Sequence, residues 1–88
     1  ALSPSDQSYF LARLGYRAAM RHDPRALGWF KAAQQTRSPY PMTDTLLAWQ
    51  VRAALRAGDW DNVLDAIHRM SADEQADGAW RYWRARAL

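Results

Sequence analysis

The chain has 88 residues, no cysteine, and eleven arginines and one lysine against eight aspartates and one glutamate, for a net charge of +3. The missing cysteines exclude a disulfide framework and a thiolate metal site, and no apolar run approaches the roughly 18–20 residues of a membrane span. A chain of this length buries only about 60–65% of its unfolded surface, so its five tryptophans, four tyrosines and two phenylalanines have to supply the core.

Helix one begins at Ser3-Pro4-Ser5-Asp6, an N-cap serine followed by proline at the first helical position, and runs to about His22. Asp23-Pro24 ends it, because the residue before a proline avoids helical backbone, and starts helix two, Pro24 to about Gln35. Thr36 to Met42 is the one real loop, and the isomer of its Tyr40-Pro41 bond is open. Thr43-Asp44 caps helix three, which stops at Gly58. Asp59 caps helix four, Trp60 to Met70. Ser71-Ala72-Asp73-Glu74 has the form of a capping box, and Gly78 predicts a short turn before helix five proper. No Gly, Asn or Pro closes that last helix, although Trp80, Tyr82 and Trp83 need cover. Residues 1–88 therefore read as a single segment of a larger helical domain.

The expected class is all-α, with about five helices in antiparallel pairs. In helix four, Trp60, Val63, Leu64, Ile67 and Met70 form one stripe. Helix one is apolar nearly all round except for Arg13, Arg17 and Arg21, and helix three except for Gln50, Arg52 and Arg56. Helices of this kind need neighbours on two sides, as in a layered array, with helices one, three and five in one layer and two and four in the other. A faint period of 34 residues links Ala19, Ala53 and Ala87, and Trp49 with Trp83. That is the length of a tetratricopeptide repeat, so a tetratricopeptide-like α-superhelix is the expected architecture. The expected core residues are Phe30, Trp49, Trp60, Val63, Ile67 and Trp83, and Trp60→Ala is expected to cost roughly 3–5 kcal/mol.

Trp49-Gln50-Val51-Arg52-Ala53-Ala54-Leu55, then Gly58-Asp59-Trp60, then Trp80-Arg81-Tyr82-Trp83 together resemble the superhelical part of the soluble lytic murein transglycosylases. The resemblance is clearest from Thr43 to Leu88 and looser from Ser3 to Gln35, where Ala26-Leu27-x-Trp29-Phe30 carries it. It implies a ring or U of short helices in a periplasmic enzyme of a Gram-negative bacterium. That family cleaves the bond between N-acetylmuramic acid and N-acetylglucosamine in peptidoglycan, leaving 1,6-anhydromuramic products. The family's catalytic glutamate lies in a downstream lysozyme-like domain, in a Glu-Ser motif that does not occur here. The implied role is thus a non-catalytic scaffold without a cofactor. Peptidoglycan is then a partner of the parent enzyme only, and the rest of that chain packs on the final helix.

The chemistry legible in single residues is sparse. Glu74 is the only glutamate, and a capping role accounts for it. His22 and His68 stand near helix C-termini without metal-ligand spacing. Arg13, Arg17, Arg21, Arg81 and Arg84 are candidate contacts for anionic glycan, set against the plainer reading of solvated helix faces. Aromatics among the last arginines imitate a nucleic-acid stacking surface, but their helical spacing suits a core, and no nucleic-acid partner is expected. Ser38-Pro39-Tyr40-Pro41 reads as a connecting loop rather than a polyproline ligand. Two further expectations remain: a tetratricopeptide-like module that grips a partner protein, and self-association through the bare tryptophans.

Overall fold

Five of the helices start at a polar side chain that takes up an otherwise unpaired backbone N–H. Ser3 Oγ accepts from the Asp6 amide at 3.1 Å, Thr43 Oγ1 from Leu46 at 3.2 Å, and the Asp59 carboxylate from Asn62 at 3.1 Å. The computed structural model describes residues 3–37, 39 and 41–88. It forms α1 (Pro4–Met20), α2 (Ala26–Gln34), α3 (Asp44–Ala57), α4 (Trp60–Arg69), the one-turn α5 (Ala72–Gln75) and α6 (Gly78–Ala87). Among the described residues there is no strand, and the chain is all-helical. The Tyr40-Pro41 bond lies outside the described residues.

Several boundaries differ from those expected. α1 stops at Met20, and His22 takes a left-handed conformation with φ 58°. α2 starts at Ala26 rather than Pro24, because the Asp23 carboxylate accepts the Arg25 backbone N–H at 2.9 Å and holds a turn first. The expected helix five proper is present as α6, opened by Asp77, whose carboxylate accepts from the Ala79 amide; the segment before it adds the one-turn α5. The capping box forms only by half. Ser71 Oγ accepts from the Glu74 amide, but the Ser71 N–H donates to Asp44 Oδ1 at 2.8 Å, and Glu74 instead accepts the Trp80 indole N–H at 2.7 Å.

Cross-links fix the packing. Ser8 Oγ donates to the Ala33 carbonyl at 2.7 Å, and Gly15 faces the Phe30 ring, so α1 and α2 run antiparallel. Gln50 meets Asn62 while Asp44 meets Ser71, so α3 and α4 are antiparallel as well. α1 and α2 both pack on α3, but α6 rests on α4 and α5. The final helix therefore takes its main support from α4, not from a layer shared with α1 and α3. The radius of gyration is 12.5 Å, close to the roughly 12 Å of a compact domain this long.

Phe30, Val63 and Ile67 are fully buried, with Leu47, Val51 and Ala54 beside them. Trp49 and Trp83 are half-buried against this core. Trp60 is a correction. It is 40% exposed and stands outside the core cluster. As the first residue of α4 it lies on the outer edge of that helix's stripe, where the α3–α4 turn leaves it uncovered. Its truncation then costs about 1 kcal/mol, nearer an ordinary partly exposed position than a core one.

Candidate functional site

α1 and α3 end in the same hydrogen-bonded turn. The Asp23 N–H donates to the Ala18 carbonyl at 2.8 Å and the His22 N–H to Ala19 at 3.1 Å. At the other end, Asp59 donates to Ala54 at 3.0 Å and Gly58 to Leu55 at 3.2 Å. Both are Schellman closures with a left-handed residue at the crossing, His22 in one and Gly58 in the other. The two turns stand 36 residues apart, whereas the starts of α2 and α4 stand 34 apart. α3 runs two residues further before closing, and Pro24-Arg25 fill out the α1–α2 connection.

Between the α1–α2 turn and the C-terminal half of α3 lies a groove of about 600 Å³. Ala19, Leu27, Trp49 and Ala53 give it an apolar floor, and Arg52 and Arg56 stand among its lining residues. Trp49 makes two ring contacts. Tyr16 meets its ring edge-on at 6.0 Å, and the Arg52 guanidinium sits 4.6 Å from its ring centroid. Asp23 is the one acid in the lining, and Arg25 binds it through the backbone amide and through Nε and Nη2 (2.8 Å). Those bonds pull the Asp23 carboxyl down to about 2. Arg52 and Arg56 enter none of the ion pairs formed among the described residues.

The sequence-derived arginines fall elsewhere. Arg13, Arg17 and Arg21 are exposed on α1, where Arg21 adds its field to Asp23. Arg81 is exposed and Arg84 half-buried on α6, in a shallow hollow shared with Tyr82 and Leu88. The two sets sit on helices with different packing partners and do not converge. Glu74 holds the Trp80 indole, a structural role. Among the described residues no group of three His, Cys, Asp or Glu could hold a metal, and no helix is long and apolar enough to cross a membrane.

Along the sequence Gln50, Arg52 and Arg56 form one polar interruption of α3. They have separate fates. Gln50 is fully buried and exchanges amide hydrogen bonds with Gln34 (2.8 and 3.2 Å), while donating to Asn62 at 3.0 Å. It thereby ties α2, α3 and α4 together through satisfied polar groups. The arginines belong to the groove, and the spacing Trp49, Arg52, Arg56 on one helical face was the signal that could have found it. Two other carboxylates carry structure. Ser71 holds the Asp44 carboxyl below its ordinary range through its hydroxyl and its amide. Lys31 Nζ, at 2.6 Å, and the Asn62 amide do the same for Asp59. No protein-family model, no curated protein and no solved structure matches this chain.

Proposed function

We propose that the chain is a helical scaffold segment of a periplasmic lytic transglycosylase, with a tetratricopeptide-like arrangement of helix pairs. In this reading the parent enzyme cleaves peptidoglycan to 1,6-anhydromuramic products, and the segment shapes the wall that holds glycan strands near a distant catalytic glutamate. The observation that supports it is the recurrence of one unit: two antiparallel hairpins, α1–α2 and α3–α4, whose first helices close through the same turn. The 34-residue period holds between the starts of α2 and α4, though not between the two turns, and its members Ala19 and Ala53 are buried while Ala87, Trp49 and Trp83 are half-buried at packed faces. The Trp80-Arg81-Tyr82-Trp83 resemblance supplies the link to murein chemistry.

The test is to purify the native polypeptide that carries this segment and incubate it with isolated peptidoglycan sacculi. Release of 1,6-anhydro muropeptides by that polypeptide, and none by residues 1–88 alone, is the expected result. A parent that neither binds sacculi nor releases such products would rule the reading out.

A second reading, a protein–protein interaction module, is favoured by the outer surface of α6. Tyr82 is 54% exposed and stacks edge-on against Trp83 at 5.0 Å, with Arg81 and Arg84 beside them. Aromatic side chains and arginine are the residues that most often anchor a protein partner. Loss of a co-purifying protein on Tyr82→Ala, with glycan binding unaffected, would favour this second reading.

A further inference from the structure

We infer that the groove between the α1–α2 turn and α3 is a binding site for a small amphiphilic anion, a carboxylate attached to an apolar tail. This inference does not rest on the scaffold reading, because it uses neither the resemblance nor the repeat.

The shape suits a small molecule. About 600 Å³ falls within the range of roughly 300–1,000 Å³ typical of ligand clefts. Its floor is Ala19, Leu27, Trp49 and Ala53, an apolar surface against which a tail can lie. Ala19, Leu27 and Ala53 are themselves buried, so the floor is rigid core rather than mobile surface. The Trp49 ring already packs against Tyr16 and Arg52, so a tail laid beside it meets an ordered wall.

The charge selects the head group. Arg52 and Arg56 are successive turns of one helix face, exposed, and outside every ion pair among the described residues. The only acid lining the groove, Asp23, is neutralised by Arg25. Two helix C-termini end here and bring partial negative charge, on the order of half a unit each. Their carbonyls at Ala18, Ala19, Ala54 and Leu55 are engaged by the turn N–H groups, and two whole guanidinium charges outweigh what remains. Two adjacent guanidinium forks match a carboxylate through paired N–H donors. A cationic or neutral amphiphile gains the apolar contacts but not that pairing.

The experiment is calorimetric titration of the full chain with decanoate, decanol and decylamine below their aggregation thresholds, at low ionic strength. Saturable one-to-one binding of decanoate, about tenfold tighter than decanol, is expected, with decylamine weaker still. Arg52→Gln with Arg56→Gln should bring decanoate to the level of decanol. Arg13→Gln with Arg17→Gln, which removes the same charge from α1, should change it less than twofold. Ala57→Trp places a ring in the groove from an exposed position at the end of α3, and should abolish binding of decanoate and decanol together while the helical circular dichroism is unchanged. Non-saturable decanoate uptake, equal affinity for the three amphiphiles, or binding that survives Ala57→Trp would each overturn the site.

Discussion

The α1–α2 and α3–α4 hairpins solve the same packing problem with glycine in different places. In the first, Gly15 provides space: a Cβ built there would lie 3.0 Å from the Phe30 ring, so the α1 backbone lies directly against that side chain. In the second, Gly58 provides conformation: a Cβ there would meet nothing, but φ is +70°. The first hairpin turns its own left-handed corner with His22, whose Cβ makes that conformation costlier than it is for glycine. The hydrogen bonds of the turn and the Asp23–Arg25 pair beyond it hold His22 there. The interiors differ in the same way. α1 meets α2 around the Phe30 ring and through one buried hydroxyl, Ser8 on the Ala33 carbonyl, whereas α3 reaches α2 and α4 through the buried Gln50 amide. A repeated hydrogen-bond frame thus tolerates different residues, provided each hairpin satisfies its own sterics.

The sharpest way to break the first hairpin is Phe30→Ala, which empties the centre of the core and should cost about 3–5 kcal/mol in urea or thermal unfolding. Gly15→Ala attacks the same contact from the other side. Overpacking against a fully buried ring should cost about 1–3 kcal/mol, and Gly15→Ala combined with Phe30→Leu should recover part of that loss. An unaltered melting temperature in Gly15→Ala would show that the helices separate more easily than their contact implies. In the second hairpin, Gln50→Ala removes the shared partner of Gln34 and Asn62 and should cost about 1–3 kcal/mol, more than Trp60→Ala despite the smaller side chain.

The two corners make the finer comparison. Gly58→Ala should lose about 1 kcal/mol, since only backbone strain is added, while His22→Gly should gain about 0.5–1 kcal/mol at an exposed position. Equal and opposite shifts in melting temperature would establish that the corners are alike in all but residue type.

Acid is a milder probe. Asp23, Asp44 and Asp59 all have carboxyls held below their ordinary value of 3.8 in the folded state. Their stabilising contributions are present above that unfolded value and are lost as pH falls through the lower folded values, toward about 2 for Asp23. Unfolding followed from pH 5 to pH 2 should show this loss. Asp44→Asn and Asp59→Asn should flatten it in proportion to the bonds each carboxylate accepts, and a slope identical to the parent chain would remove the carboxylates from the account.

What the residues determined locally can be named. The caps Ser3, Thr43 and Asp59, the stop at Gly58, and the stripe holding Val63 and Ile67 needed only neighbours in the chain, because capping and amphipathic period are short-range properties. Trp60 shared that stripe yet stands 40% exposed, since a periodic face says which residues point one way and not how far the neighbouring helix extends to cover them. The burial of Gln50, the left-handed His22, the bond from the Trp80 indole to Glu74, and the groove under Arg52 and Arg56 were decided only by tertiary contact. Each depends on groups at least six residues apart brought within hydrogen-bond or van der Waals reach, or on a corner whose strain the rest of the fold has to hold.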